Sequence, residues 1–471
     1  MFDKIREECG IVGIFNSQEA STLTYLGLYA LQHRGQESAG IVTIDETGRA
    51  YEVKRIGLVS EIFNKDVLSY LKGNKAIGHV RYSTTGSTVI ENAQPILVEY
   101  IKGPLAVAHN GNLVNVMDIK KVLEEEGSIF ESTADSEVLV HLIAKHNKYD
   151  FIESVKRSLN LLKGAYSFVI LNRDFLIAAR DPHGIRPLEI GKIGDTYIVA
   201  SETCAFDLLG AEHTGTVEPG EVVIFSKNGI QREQFSERKR SAMCVFEFIY
   251  FARPDSIIYN RTVNDIRKNL GRELGKESPV NADIIIPVPD SGVCAAIGYS
   301  EAVGIKYDMG LIRNHYVGRT FIEPEQSIRD FGVKLKLNPV KEILKDKRVV
   351  VVDDSIVRGT TSRKIAKLIR GAGAKEIHYR ISSPPIKNPC FYGMDFPTRT
   401  ELIANSHTIE EVRKYLRVES LSYLSLEGLI KATGGRKDKF CMACFDGEYP
   451  IDFKEGQGKF IFEKNKPYEN K

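Results

Sequence analysis

The sequence predicts an α/β protein in two parts, an N-terminal αββα sandwich followed by a C-terminal α/β domain built on a parallel sheet. Three observations predict it. The chain has 471 residues, more than one hydrophobic core ordinarily supports. Residues 9–230 interleave short β-type runs with helices whose apolar residues recur every three or four positions. Beyond residue 240 the pattern becomes uninterrupted apolar strands, each followed by a helix. Strands of that kind are buried on both faces and are therefore parallel.

The first elements follow a charged octapeptide, Met1–Glu8. Ile11–Phe15, Ala106–His109, Ser167–Leu171 and Tyr197–Ala200 read as strands, and Thr22–Gln32, Asp135–Asn147 and Phe151–Leu162 as helices. After residue 165 the strands are separated by Asn-Arg-Asp and Gly-Asp turns, which predicts antiparallel hairpins. The polar crossing Ser236–Arg240 marks the boundary between the parts. In the second part the runs Ile284–Pro289 and Val349–Val352 precede helices at Val293–Val303 and Thr361–Arg370. The tail after Tyr449 is polar and lysine-rich.

Composition excludes several roles. The 64 basic residues barely exceed the 62 acidic ones, so nothing offers a general surface for a nucleic-acid backbone. No run of 18 or more apolar residues exists to span a membrane, and the octapeptide is too short and too charged for a signal peptide. The expected location is cytoplasmic. There the seven cysteines should be thiols or metal ligands, not disulfides.

The strongest local signal is Val349–Ser362, an apolar strand ending in Asp353 and Asp354 that turns through Gly359 into a helix. Its amides and the hydroxyls of Ser355, Thr360, Thr361 and Ser362 gather where a helix N-terminus favours an anion. The acidic pair would repel a phosphate unless sugar hydroxyls or Mg²⁺ intervened. The lysine of a Walker loop is missing, which disfavours NTP hydrolysis. The bland alternative is a strand-to-helix turn whose acids cap the helix. A second strand-end motif is Pro287–Gly292, and a polar loop at Arg313–Ile322 lies between the two. That loop is either merely exposed or able to close over a charged ligand.

The first part carries its own constellation. Were Met1–Glu8 removed, Cys9 would unite a thiol with a free α-amine, a nucleophile carrying its own base. Gly78–Gly86 places Arg81 and Thr84 after an apolar run, where a guanidinium can fork onto a carboxylate. His109–Leu113 offers the Asn110 amide and the Gly111 N–H as oxyanion donors. Asp135, in Ser132–Ser136, is a counter-charge for an α-ammonium. Singly each has a plain alternative: a small buried cysteine, a surface ion pair, an Asn-Gly turn or a helix N-cap. Together they describe a pocket for a free amino acid bearing an amide.

Two sets of residues carry a resemblance. The Cys9–Gly13 start, Leu31–Ser38, His79–Thr84 and His109–Leu113 resemble the class II, N-terminal-nucleophile glutamine amidotransferases. Val349–Ser362 resembles the phosphoribosyl pyrophosphate (PRPP) loop of type I phosphoribosyltransferases. The combination is similar to the amidophosphoribosyltransferase family over nearly the whole chain. That implies an N-terminal-nucleophile hydrolase fold in the first part and a phosphoribosyltransferase fold in the second. The implied organisation is a propeptide at 1–8, a glutaminase domain at 9–238, a phosphoribosyltransferase domain at 239–448 and a tail at 449–471.

The implied chemistry is transfer of ammonia from glutamine to PRPP, giving 5-phosphoribosylamine at the opening of purine synthesis. Cys9 would be the nucleophile, Asn110 and Gly111 the oxyanion hole, and Arg81, Thr84 and Asp135 the glutamine-binding residues. Asp353 and Asp354 would hold the ribose and Mg²⁺ together with Ser291, while Ser355, Arg358, Gly359, Thr360, Thr361 and Ser362 would hold the 5′-phosphate. Arg319 and Lys336 would reach the pyrophosphate.

Cys441-Met-Ala-Cys444 is a close pair that on its own admits structural zinc or nothing. A branch of the family has a propeptide and a [4Fe–4S] cluster, and that resemblance implies cluster ligation by Cys244, Cys390, Cys441 and Cys444. Cys204 and Cys294 read as core residues. Family likeness also implies a homo-oligomer and feedback by purine nucleotides. Two competing functions remain at this point: the same glutaminase serving another acceptor, and a non-catalytic nucleotide sensor.

Overall fold

The computed structural model describes residues 9–82, 89–237, 239–314, 337–394 and 399–452. The first part is two antiparallel sheets lying face to face. One runs, edge to edge, Glu212–Thr216, Glu189–Ile193, Thr196–Ala200, Gly10–Phe15, Lys75–Arg81, Ser38–Ile44 and Ala50–Ile56. The other runs Gly229–Gln234, Glu221–Ser226, Leu176–Arg180, Gly164–Asn172, Gly103–Leu113 and Ile96–Tyr100.

Residues of the Gly10–Phe15 strand alternate between two cores, as the period-two geometry of a strand requires. Ile11 and Phe15 join Val42, Ile77, Ala108, Val169 and Val223 between the sheets. Val12 and Ile14 face outward, under Leu28, Leu31 and Phe206 from the helices Ala20–Ala30 and Cys204–Leu209 and their flanks. On the far side, Leu139, Ile143, Val155 and Leu159 of the helices Glu137–Lys145 and Phe151–Leu161 cover Val107, Phe168 and Ile170. The result is the expected αββα sandwich. Each aliphatic side chain so buried contributes about 1.5–3 kcal/mol, which fixes the strand that starts beside Cys9.

The second part has a four-stranded parallel sheet in the order Ile284–Pro287, Arg348–Asp353, Glu376–Ile381 and Ser420–Tyr423. Val350 and Val352 face the helices Val263–Glu277 and Val293–Val303, while Val349 and Val351 face Thr360–Gly371 and Ile409–Leu416. The apolar run is therefore continuous because both faces are covered. Helices Val263–Glu277 and Val293–Val303 meet through glycine. A Cβ at Gly271 would lie 1.9 Å from the Ala295 carbonyl oxygen, and one at Gly298 would lie 1.9 Å from that of Lys268.

The two parts share a core. Val114, Ala165 and Ile185 of the first pack in one cluster with Phe246, Phe248, Ile386 and Phe445 of the second. The expected elements are present with shifted ends. The first helix begins at Ala20, ahead of Thr22, and the helix expected from Asp135 begins at Glu137. The strand expected at Ala106–His109 runs from Gly103 to Leu113, so the Asn110-Gly111 motif is strand and not turn.

Candidate active site

Cys9 stands at the head of the Gly10–Phe15 strand, next to the end of Lys75–Arg81; Gly10 is opposite Val80. Its thiol is buried, 7% exposed, and donates to the Tyr82 carbonyl at 3.4 Å. Burial pushes the thiol up to about 11, with the Tyr82 contact and the Arg81 charge opposing. It is thus protonated at neutral pH and needs a base to become a nucleophile.

Arg81 and Asp135 are both buried and both act electrostatically on the Cys9 thiol. Asp135 caps no helix: its carboxylate accepts from the Leu113 N–H at 3.0 Å and faces His109 Nδ1 at 3.4 Å. Burial alone would raise its pKa, but His109 and these hydrogen bonds hold it below the usual carboxylate range. It is an ionised counter-charge. His109 stacks on Phe168 with ring centroids 4.4 Å apart. His79 Nε2 donates to the His109 carbonyl at 3.0 Å, a hydrogen bond that ties one sheet to the other beside the site.

Asn110 lies opposite Ser167 and Gly111 opposite Tyr166 on the neighbouring strand. The Asn110 side chain is buried, and neither its oxygen nor its nitrogen has a partner among the described residues. Buried amides are as a rule paired. The neighbour of Asn110, His109, is bonded to His79, which lies opposite Ile11 on the strand that Cys9 heads, so the open amide belongs to the sheet facing that strand. Thr84 lies outside the described residues.

The structure adds residues that the sequence reading did not single out. Arg34 is fully buried; its Nε donates to the Cys9 carbonyl at 3.1 Å, and its Nη atoms reach Glu202 at 2.5 Å and Glu247 at 2.8 Å. Arg186, equally buried, faces Glu247 at 3.4 Å. Burial would raise the Glu202 pKa, yet His33 and Arg34 hold it far below the ordinary range. Four charges thus neutralise one another behind Cys9, with Glu247 contributed by the second part.

In the second part the strand ends carry the loops. Strands Ile284–Pro287 and Arg348–Asp353 are adjacent, and the Val288 N–H extends their pairing to the Val352 carbonyl at 2.8 Å. The Pro287–Gly292 and Asp353–Ser362 loops therefore leave side by side at the carboxyl edge of the sheet, where α/β folds bind ligands. Asp353 and Asp354 are each 2% exposed. The Asp354 N–H donates to Asp353 Oδ1 at 3.0 Å, and the Ser355 hydroxyl to Asp354 Oδ2. Gly359 then starts the helix Thr360–Gly371, one residue ahead of the expected Thr361 start. Thr361 and Ser362 are buried, Thr360 is exposed, and Arg358 pairs with Glu401 at 3.0 Å.

The Ser291 loop packs against the same strand end, a Cβ at Gly292 standing 2.4 Å from the Val352 carbonyl oxygen, and two carboxylates with a hydroxyl at that edge would suit Mg²⁺, a hard cation that takes much of its shell from water and phosphate oxygens. Arg319 and Lys336 lie outside the described residues.

Cys244 and Cys441 are partners across a two-residue parallel pairing of Met243–Cys244 with Phe440–Cys441. The Lys387 and Asn388 N–H groups donate to the Cys444 carbonyl at 2.9 and 3.0 Å, bringing the Cys390 segment alongside. Burial pushes the Cys444 thiol well up, and charges on Cys441, Cys244 and Cys390 add to the effect. Cys444 thus lies within electrostatic reach of the other three thiols. Among the described residues, no group of three or more His, Cys, Asp or Glu side chains is arranged around a point that could hold a metal ion. Cys204 and Cys294 are buried, as expected.

Comparison with known proteins follows the same division. Residues 79–207 match the glutamine amidotransferase domain family and residues 257–382 the phosphoribosyl transferase domain family. The amidophosphoribosyltransferase of Bacillus subtilis (strain 168) is 52% identical over 454 residues, covering 95% of each chain. The structure of the B. subtilis glutamine PRPP amidotransferase complexed with ADP and GMP superposes with a TM-score of 0.90 at 50% identity, over 95% of this chain and 98% of that one. A structure described as the allosteric regulatory enzyme of purine biosynthesis gives 0.91 at 51% identity, over 95% and 97%.

Proposed function

The chain belongs to the amidophosphoribosyltransferase family, and we propose from that membership which of its residues perform each half of the reaction. The enzyme is a glutamine PRPP amidotransferase with a glutaminase domain, acting at the first step of purine biosynthesis. It converts glutamine, PRPP and water to glutamate, 5-phosphoribosylamine and pyrophosphate.

In our reading the glutaminase domain is 9–238, the phosphoribosyltransferase domain 239–448, residues 1–8 a propeptide and 449–471 a tail. Arg81, with Thr84, takes the α-carboxylate of glutamine, and Asp135 takes its α-ammonium. The Cys9 sulfur attacks the side-chain amide while its proton passes to the α-amine of the same residue. The Asn110 amide and Gly111 N–H receive the oxyanion. Collapse expels ammonia, the α-amine returning the proton to it, and water then hydrolyses the thioester. While Met1–Glu8 is attached, the Cys9 nitrogen is a peptide amide with no basic lone pair. Cleavage is therefore what creates the base.

Ammonia next displaces pyrophosphate from C1 of PRPP with inversion. Asp353 and Asp354 hold the ribose hydroxyls, residues 355–362 including Arg358 hold the 5′-phosphate, and Ser291 flanks the pyrophosphate, with Arg319 and Lys336 as its cationic partners. Mg²⁺ held by Asp353, Asp354 and Ser291 would neutralise charge on the leaving group. Cys244, Cys390, Cys441 and Cys444 would hold a [4Fe–4S] cluster that is structural. The B. subtilis relative is described with ADP and GMP, and we extend purine-nucleotide feedback to this chain, together with homo-oligomeric assembly and a cytoplasmic location. Among the described residues no helix is long and apolar enough to cross a membrane.

The observation that carries the glutaminase assignment is the open, buried Asn110 amide on the strand whose His109 faces Asp135, together with the buried Cys9 thiol in the field of Arg81 and Asp135. Replacing the nucleophile tests it. Cys9→Ala should abolish 5-phosphoribosylamine formation from glutamine and leave formation from added ammonia within about twofold, because ammonia bypasses only the first half. Equal loss of both activities would overturn the division of labour.

A further inference from the structure

We infer that Phe391–Gly393, a segment of the second domain, is a positioning strap for the oxyanion hole of the first, so that glutamine hydrolysis depends on the two domains being docked. The inference rests on the reading of Asn110 and Gly111 as oxyanion donors.

Two contacts carry it. The Asn112 Nδ2 group, at the end of the oxyanion strand, donates to the Phe391 carbonyl at 3.0 Å across 279 residues of sequence. Two residues on, Gly393 lies against Gly111: a Cβ at Gly393 would stand 3.0 Å from the Gly111 carbonyl carbon and 3.2 Å from its Cα. Gly393 also has φ +108°, a region that side chains disfavour. The Gly111 backbone is confined from within its own sheet as well, since a Cβ there would meet the Ala165 carbonyl oxygen at 2.0 Å. Its N–H therefore points where Ala165 and Gly393 together leave it room to point.

The strap is itself held. The buried Arg186 guanidinium donates twice to the Tyr392 carbonyl, at 3.1 Å from Nε and 2.6 Å from Nη2. The Tyr392 hydroxyl donates to the Ile451 carbonyl at 2.8 Å and accepts from the Ile451 N–H at 3.1 Å. Arg186 belongs to the first domain, so the strap is gripped by the domain whose hole it orients. An oxyanion hole is useful only when its donors are fixed in advance of the charge. Here fixation is supplied by the domain that consumes the ammonia, which keeps glutamine from being hydrolysed without an acceptor site in place.

Gly393→Ala and Asn112→Ala in the full-length enzyme test the inference. Asn112→Ala removes the donor without imposing backbone strain, so it stands if Gly393→Ala fails to fold. Removal of an oxyanion donor costs about 10²–10³ in kcat, and misplacing donors should lower kcat with glutamine by about tenfold or more. KM for glutamine and the rate with added ammonia should stay within about threefold. Alkylation of Cys9 by iodoacetamide needs no oxyanion hole and should proceed at the wild-type rate. Unchanged kcat in both variants, or an equal fall in the ammonia-dependent rate, overturns the strap. Asn110→Ala measured in parallel separates the failures. A normal kcat there overturns the oxyanion assignment, whereas a low kcat there with normal strap variants overturns the strap alone.

Discussion

His79 and Cys9 are both displaced by burial, in opposite chemical directions. Burial, reinforced by the Arg81 charge, lowers His79 to about 3, so it is neutral, and its Nε2–H bond to the His109 carbonyl fixes the tautomer. An unfolded histidine titrates near 6.5. Between about pH 6.5 and 3 the unfolded chain takes up a proton that the native chain refuses. Stability therefore rises with pH across that window, by at most about 1.4 kcal/mol per pH unit. His79→Gln keeps an amide donor for the His109 carbonyl and removes the titration. The stability gap between wild type and His79→Gln, read as urea midpoints, should narrow as pH falls from about 7.5 to 5. A gap that stays constant would argue against a buried neutral His79. Cys9 moves the other way, to about 11. On the proposed reading, a thiol that resists ionisation would stay unreactive while Met1–Glu8 is attached and would become a nucleophile only once the α-amine is freed on the same residue.

Among the elements, the glycine contact between Val263–Glu277 and Val293–Val303 bears most directly on function, because the second helix follows Ser291 and the Pro287–Gly292 loop. A helix-interior glycine costs about 0.5–1 kcal/mol in propensity. The cost is offset by an approach close enough to put each missing Cβ 1.9 Å from a facing carbonyl. Gly298→Ala should destabilise the second domain by about 1–3 kcal/mol, the usual penalty of overpacking, and lower ammonia-dependent and glutamine-dependent synthesis together. Thermal denaturation and the two rates check it; a stable variant, or one losing only the glutamine-dependent rate, would contradict this role. Element types were legible in sequence because apolar periodicity reports burial. Their ends were less so. Reading Ala106–His109 stopped where polar residues began, yet the strand continues to Leu113 because Asn110, Gly111 and Asn112 pair with Ser167, Tyr166 and Ala165. Local turn preference for Asn-Gly yielded to sheet pairing.

Across the molecule, the sequence disclosed what local pattern encodes and concealed what meets across the interface. The acidic pair Asp353–Asp354 and the Cys9, Arg81, Asn110 and Asp135 set are recognisable because each motif is short and chemically unusual. The Arg34, Glu202, Glu247 and Arg186 cluster is not. Isolated charges in a sequence point to solvent, and Arg34 reaches Glu247 across 213 positions. The cysteines belong to the same interface. Cys244 lies just beyond the last strand of the first domain, Cys441 pairs beside it, and Cys390 opens the segment that touches Asn112 and Gly111. A cluster bound there would tie together chain segments that are otherwise distant, and binding to the native state alone adds its free energy to folding. Protein purified without oxygen should therefore contain iron and acid-labile sulfide, with a mature chain starting at Cys9 by intact mass. Cys441→Ser should lose the iron and melt at a lower temperature than wild type, whereas Cys204→Ser, a buried thiol outside the set, should keep its iron. Zinc in place of iron would refute the cluster, and full iron content in Cys441→Ser would refute the ligand set, since a cubane held by four thiolates cannot lose one without losing an iron's anchor.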